Sequence, residues 1–157
     1  MERLLDEHIE KLKSRVIKMC SLVDDQFQSA IQAIIDENVE LAKQVIEKDN
    51  KVDKYDTKID KICQKLFALT QPVAFDLRLI MSSLTINNNL ERIGDIAVNL
   101  AEYLIMIKQK PSFFNQTKLD GMFKIAKQML KDAIDSYIQG NEALAKSVIE
   151  SDNALDK

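Results

Sequence analysis

The segment NVELAKQVIEKDNKVDK, Asn38–Lys54, returns as NEALAKSVIESDNALDK, Asn141–Lys157, with 11 of 17 positions identical at a constant offset of 103. An ungapped match at so long an offset requires helices and connections of equal length in the same order, so the chain holds copies of one structural unit. Farther upstream, Ala30, Ile31 and Ile35 recur as Ala133, Ile134 and Ile138, which carries the repeat into the preceding helix. The second copy stops where the first has more than half its length still to run. Two whole units would need roughly 206 residues, so the chain reads as a fragment: one unit and part of another. The part missing from the second unit is its third helix. An apolar face left open on the last two helices predicts self-association or exchange of segments between copies.

With 46% hydrophobic and 30% charged residues but only 3 Gly and 2 Pro, the chain has too few turn formers for a sheet protein and suits long helices. The expected fold class is all-α. A net charge of -3 removes any general electrostatic reason to bind nucleic acid, and no basic patch stands out along the chain. No apolar run approaches the roughly 20 residues that cross a bilayer, and the first residues are charged throughout, so a soluble, cytoplasmic protein is expected. Cys20 and Cys63 fall on apolar helical stripes rather than at ligand spacing and read as reduced core thiols.

From Glu2 to about Asp36, the residues Leu5, Ile9, Leu12, Val16, Met19, Val23, Phe27, Ala30 and Ile34 recur at steps of three and four, one seam about ten turns long. Asn38 is placed to cap a second helix, whose Leu41, Val45, Val52, Tyr55, Ile59, Ile62 and Leu66 keep the period to about Ala68. Thr70 and Pro72 suit the start of a third, carrying Leu79, Ile80, Leu84, Leu90, Ile93, Ala97, Leu100 and Leu104 and fading before Pro111. A fourth helix is expected from about Lys118 to Gln139, closed by Gly140, and Asn141 opens a fifth. The expected organisation is a three-helix unit over residues 1–109, a linker over 110–116 and a partial second unit of two helices over 117–157. Short connections imply antiparallel neighbours, hence up-down-up bundles.

The carboxylates carry the chemistry. Asp49, Asp53, Asp56 and Asp60 step by four, three and four along the second helix, an acidic stripe beside its apolar seam. On the third helix Glu91 and Asp95 are four apart, with Asn88, Asn99 and Glu102 continuing that face. Antiparallel packing could bring the two stripes together, where their repulsion would be relieved by a multivalent cation. All-oxygen donors favour a hard or borderline ion such as Mg, Mn or Fe. The alternative is that these acids form a solvated face, neutralised through i,i+4 pairs by the interleaved Lys48, Lys51, Lys54 and Lys58. Gly94, inside the third helix between the two acids, costs about 1 kcal/mol relative to alanine and marks either a close approach by a neighbour or simple packing.

The run QPVAFDLRLIM, Gln71–Met81, followed by LERIGDIAVNLAE, Leu90–Glu102, resembles the third helix of the PhoU family of phosphate-transport regulators. The resemblance extends over essentially the whole chain, because that family is similarly built from two repeated three-helix units. It implies a cytoplasmic, non-enzymatic negative regulator, often a homodimer, acting with the ATPase of a phosphate ABC transporter and a phosphate-responsive sensor kinase. It also implies metal binding through E(D)-x-x-x-D motifs, which fall here on Asp49 with Asp53 and on Glu91 with Asp95. Asp152 and Asp156 match the first motif in the second unit. Asn89 stands where many relatives resemble D-L-E-R-I-G-D or E-L-E-R-I-G-D, which takes one charge from that stretch.

Asp76 and Arg78 lie near the start of the third helix, where Arg78 could grip a carboxylate or phosphate but reads better as half of a structural ion pair within or between units. Phe113 and Phe114 in the linker could form a docking tip or a hydrophobic clamp between units. A di-iron carboxylate enzyme would need Glu-x-x-His pairs from two helices, and His8 is the only histidine. A histidine phosphotransfer module using His8, or a helical adaptor without metal, leaves the acidic stripes unexplained. No nucleophile with a base, Gly-rich phosphate loop or nucleotide motif is visible.

Overall fold

The structure, a computed structural model, describes residues 2–69, 74–110, 112, 114 and 118–156. Five helices follow one another: α1 Glu2–Asp36, α2 Val39–Leu69, α3 Ala74–Ile107, α4 Leu119–Gln139 and α5 Glu142–Leu155. The first three pack pairwise against one another, α4 packs on α5 and touches α1, and α5 meets no other helix among the described residues. Thr70, Pro72 and Phe113, expected at the start of the third helix and in the linker, lie outside the described residues.

The heptad seams become the core. Leu12, Val16, Met19, Val23, Val52, Ile59, Leu66 and Ile80 are buried in one cluster, and Ala30, Ile34, Ala42, Val45, Ala97 and Leu104 in a second. Phe114 is buried in that second cluster beside Phe123, with ring centroids 6.3 Å apart, so this linker residue clamps α4 to the first three helices. Cys20 and Cys63 are free thiols in the core, and burial pushes each up to about 11, which keeps them protonated. By contrast, no residue of α4 or α5 is buried, and Ile149 is 73% exposed. No described helix is long and apolar enough to cross a membrane.

The repeat is visible in the joints. Asn38 Oδ1 accepts from Leu41 N–H at 3.1 Å, and Asn141 Oδ1 accepts from Leu144 N–H at 3.0 Å, the same cap 103 positions later. The preceding helices also end alike: Asn38 N–H donates to Ala33 O at 2.8 Å, and Asn141 N–H to Ser136 O at 2.9 Å. Both terminations need a left-handed residue, Gly140 at φ 63° and its counterpart Glu37 at φ 53°. Glutamate there carries the Cβ strain that glycine avoids, roughly 1–2 kcal/mol. Glu37→Gly is therefore expected to stabilise the chain by about 0.5–1 kcal/mol after glycine's extra chain entropy is subtracted, measured as a higher urea midpoint at unchanged slope.

Candidate functional site

The antiparallel α2–α3 register sets the site. Asn87 faces Asp56 and, seven residues on, Gly94 faces Asp49, seven residues back. That alignment places Asp49 and Asp53 on α2 across from Glu91 and Asp95 on α3, along the open seam between the two helices. Their mutual influence is direct: burial pushes the Asp53 carboxyl above its ordinary value, and Asp49, Asp95 and Asp56 push it further. Burial likewise raises Glu91, followed by repulsion from Asp95, Asp56, Asp53 and Asp49. Asp56 is raised by burial and by Asp60 and Asp95, against the opposing effect of its hydrogen bond from Asn87. The two stripes that the spacing singles out thus meet as one electrostatic unit.

Lysine does not neutralise it. Among the described residues the only ion pair within α2 is Lys43 with Glu40, at 3.5 Å, and none of the four aspartates of the stripe takes part in one. The i,i+4 neutralisation that would make this an ordinary solvated face is not formed. Asp76 and Arg78 likewise enter no ion pair among the described residues, which departs from the structural pair expected for Arg78.

Two buried amides supply what neutralisation the groove has. Gln26, reaching in from α1 and only 3% exposed, donates through Nε2 to Asp49 Oδ1 at 3.0 Å and to Val45 O at 3.4 Å. Asn87, fully buried, donates to Asp56 Oδ1 at 2.6 Å and more weakly to Asp60 Oδ1 at 3.4 Å. These contacts settle the orientation of both amides, because turning either over would set its oxygen against carboxylate oxygens. The consequence is that Gln26 Oε1 and Asn87 Oδ1 are buried without a hydrogen-bond partner. An orphaned buried acceptor beside like-charged carboxylates is an arrangement that an added cation satisfies and an added proton donor satisfies less completely.

Gly94 now has its reason. A Cβ there would lie 3.0 Å from Gln26 Oε1 and 3.7 Å from Asp49 Oδ1, so the missing side chain makes room for the Gln26 amide. Neither Gln26 nor Asn87 stands out in an apolar-seam reading. Asn88 is exposed on the same face as Asp95, and buried Asn87 beside it reaches Asp56. Asn89 borders a cavity lined by Cys20, Leu90, Ile93 and Tyr137 on the α4 side of α3. An acid at that position would not have joined the α2–α3 groove, so its loss leaves the four carboxylates intact.

As their side chains stand, no three His, Cys, Asp or Glu residues among those described gather around one point. The donor chemistry nevertheless fits a hard cation: carboxylate oxygens from both helices, the spare amide oxygen of Gln26 beside Asp49, and no ion pair to these acids among the described residues. Asp152, on α5, and Asp156, its C-cap, are exposed, and α5 packs on α4 alone among the described residues.

Comparison with known proteins agrees with this architecture. A family model, the PhoU domain, matches residues 16–104 and 119–157. The chain is 39% identical over 153 residues to a phosphate-specific transport system accessory protein PhoU homolog of Aquifex aeolicus, covering 98% of this chain and 69% of that protein. It is 33% identical to the PhoU accessory protein of Serratia marcescens, covering 95% of this chain and 61% of the relative. The chain therefore spans about two thirds of the length of these relatives. The crystal structure of PhoU from Pseudomonas aeruginosa superposes with a TM-score of 0.90 at 31% identity, covering 96% of this chain and 73% of that one. That of the phosphate transport system regulatory protein PhoU from Streptococcus pneumoniae gives a TM-score of 0.84 at 26% identity, covering 97% and 72%.

The raised carboxylates imply a pH dependence with a definite sign. An acid whose folded pKa exceeds its unfolded value, 3.8 for Asp53, makes the folded chain bind protons in the window just above that value, so its contribution to stability falls as pH rises through the window. Metal-free Asp53→Asn is expected to be more stable than the parent at neutrality, the difference closing as pH falls towards about 4 and the parent takes up its proton. Urea unfolding of both proteins across that range checks this; a parent more stable than the variant at neutrality contradicts it.

Proposed function

The chain belongs to the PhoU family, and from that premise we propose that it is a non-enzymatic, metal-binding regulator of phosphate uptake and phosphate-responsive signalling. It would act as a negative regulator through contacts with the phosphate ABC transporter ATPase and a phosphate-responsive sensor kinase, in the cytoplasm and as a homo-oligomer. The relatives, an accessory protein of the phosphate-specific transport system and a regulatory protein of that system, support the regulatory reading. The exposed apolar residues of α4 and α5, among them Met122, Ile138 and Ile149, support self-association.

The observation that carries the metal reading is the orphaned amide oxygen of Gln26 beside Asp49, in a stripe whose aspartates enter no ion pair among the described residues. Asp49, Asp53, Glu91 and Asp95 would hold the ion, with iron, manganese and magnesium the fitting choices for oxygen donors. A bound cation supplies the positive charge that the groove lacks. The residues do the rest: Gln26 positions Asp49 through its amide, and Asn87 does the same for Asp56. Cross-linking α2 to α3 in this way would make the stiffness of the first bundle depend on metal occupancy. A regulator that works by contact requires such a surface of defined shape.

Elemental analysis of protein purified without chelator, beside Asp95→Ala, tests this. The parent should carry metal and the variant much less. At a hundredfold excess over its dissociation constant, the ion should raise the parent's melting temperature by roughly 5–10 °C. Absence of metal from both proteins, together with melting temperatures indifferent to added iron, manganese or magnesium, rejects the metal reading while leaving the regulatory one standing.

A further inference from the structure

The opposite flank of α2 carries a second constellation, one that the linear sequence hides because its halves lie about 50 residues apart. Arg15 Nη1 on α1 donates to Lys58 O on α2 at 3.4 Å, which fixes the antiparallel register of the two helices. In that register His8, Lys11 and Arg15 on one wall and Lys58, Lys61 and Lys65 on the other line a groove of about 230 Å³, floored by buried Ile62. No carboxylate is among its lining residues.

The local acids are engaged elsewhere. Glu7 pairs with Arg3 at 3.7 Å and Glu10 with Lys13 at 3.5 Å, while Asp56 and Asp60 turn to Asn87 in the acidic groove. None of the six lining side chains with a basic group forms an ion pair among the described residues; Lys58 lies over the Tyr55 ring at 4.8 Å instead. Lys11 with Arg15 and Lys61 with Lys65 are like-charged i,i+4 pairs, unfavourable on a helix surface, and they face further cations across the groove. A chain of net charge -3 thus holds five permanent positive charges and an imidazole together with no internal counter-charge.

We propose that this groove is a binding site for an inorganic oligophosphate, a compact linear anion of a few phosphate units. The cations recur once per helical turn in two facing rows, about 5 Å between rungs and about 10 Å from end to end, a length along which a short anion charged on every unit meets each rung. An extended acidic peptide presents side chains to one face only every 7 Å or so and would leave rungs unmatched. The lining offers no open apolar pocket to hold a peptide side chain, and it contains no Phe, Tyr or Trp to serve as a stacking platform for a nucleobase. Arg15 can grip phosphate oxygens bidentately and the lysines act as point charges around it. The inference rests on the α1–α2 groove alone and does not require the metal reading.

Calorimetric titration of the chain with inorganic tripolyphosphate, in about 50 mM monovalent salt without added divalent metal, tests the site. The expected result is one bound anion per chain, with affinity falling as salt rises. Lys11→Gln/Lys61→Gln should weaken binding by at least about tenfold, Lys65→Gln alone by about threefold, and Lys124→Gln/Lys146→Gln, which removes the same charge from α4 and α5, by less than about twofold. Asp95→Ala should bind as the parent does, which separates this site from the acidic groove. No binding of tripolyphosphate, equal losses in the two double variants, or binding of a glutamate-rich peptide or anionic phospholipid vesicles in its place would overturn the proposal. Circular dichroism melts confirm that each variant is folded, and the single Lys65→Gln substitution decides the matter if the double one is not.

Discussion

Helix α2 sorts its charges, and the rest of the bundle follows from that sorting. Its aspartates at 49, 53, 56 and 60 run down the flank that meets α3, and its lysines at 58, 61 and 65 down the flank that meets α1. The i,i+4 alternation of opposite charges that normally steadies an exposed helix is given up on both sides. What holds the arrangement is burial of the heptad seams between those flanks, with Val45, Val52, Ile59 and Leu66 all inside. Apolar burial at about 25 cal/mol per Å² is large enough to carry repulsions that are individually a few tenths of a kcal/mol. The price is two grooves of opposite sign, each short of counter-charge.

The architecture was legible because it depends on periodicity and caps. Steps of three and four located Ile9, Leu12, Val16, Met19, Val23, Ala30 and Ile34 in the core of α1, though Leu5 and Phe27 of the same seam are only half-buried, and Asn38, Gly140 and Asn141 marked the joints by chemistry that acts within a few residues. The acidic stripes were legible for the same reason. The site's buried amides were not, since an apolar-seam reading discards polar residues. A strict count would have caught Asn87: Ile80, Ser83, Asn87, Leu90, Gly94, Ala97, Ala101 and Leu104 step by three and four and are all buried. Gln26 sits at a core position by the same count, three after Val23 and four before Ala30. The basic groove escaped for a different reason, because its two rows belong to separate helices and only the α1–α2 register brings them together.

Gln26 links these levels. It leaves α1, crosses the seam, accepts the loss of a partner for its oxygen and holds Asp49 towards α3, while Gly94 yields the space it occupies. A buried polar group left half satisfied is unfavourable unless something else completes it. In a bundle whose acids also lack counter-ions, one cation answers both deficits at once. That economy is what supports the proposal of a metal centre between α2 and α3 over a solvated face.

The most direct measurement is anomalous diffraction from crystals grown without chelator, recorded on either side of the iron and manganese absorption edges. The account predicts an anomalous peak in the α2–α3 groove, within ligand distance of oxygens from both the Asp49–Asp53 and the Glu91–Asp95 pairs. A groove without a peak in crystals soaked in either metal, or a peak held by residues outside those pairs, would contradict it.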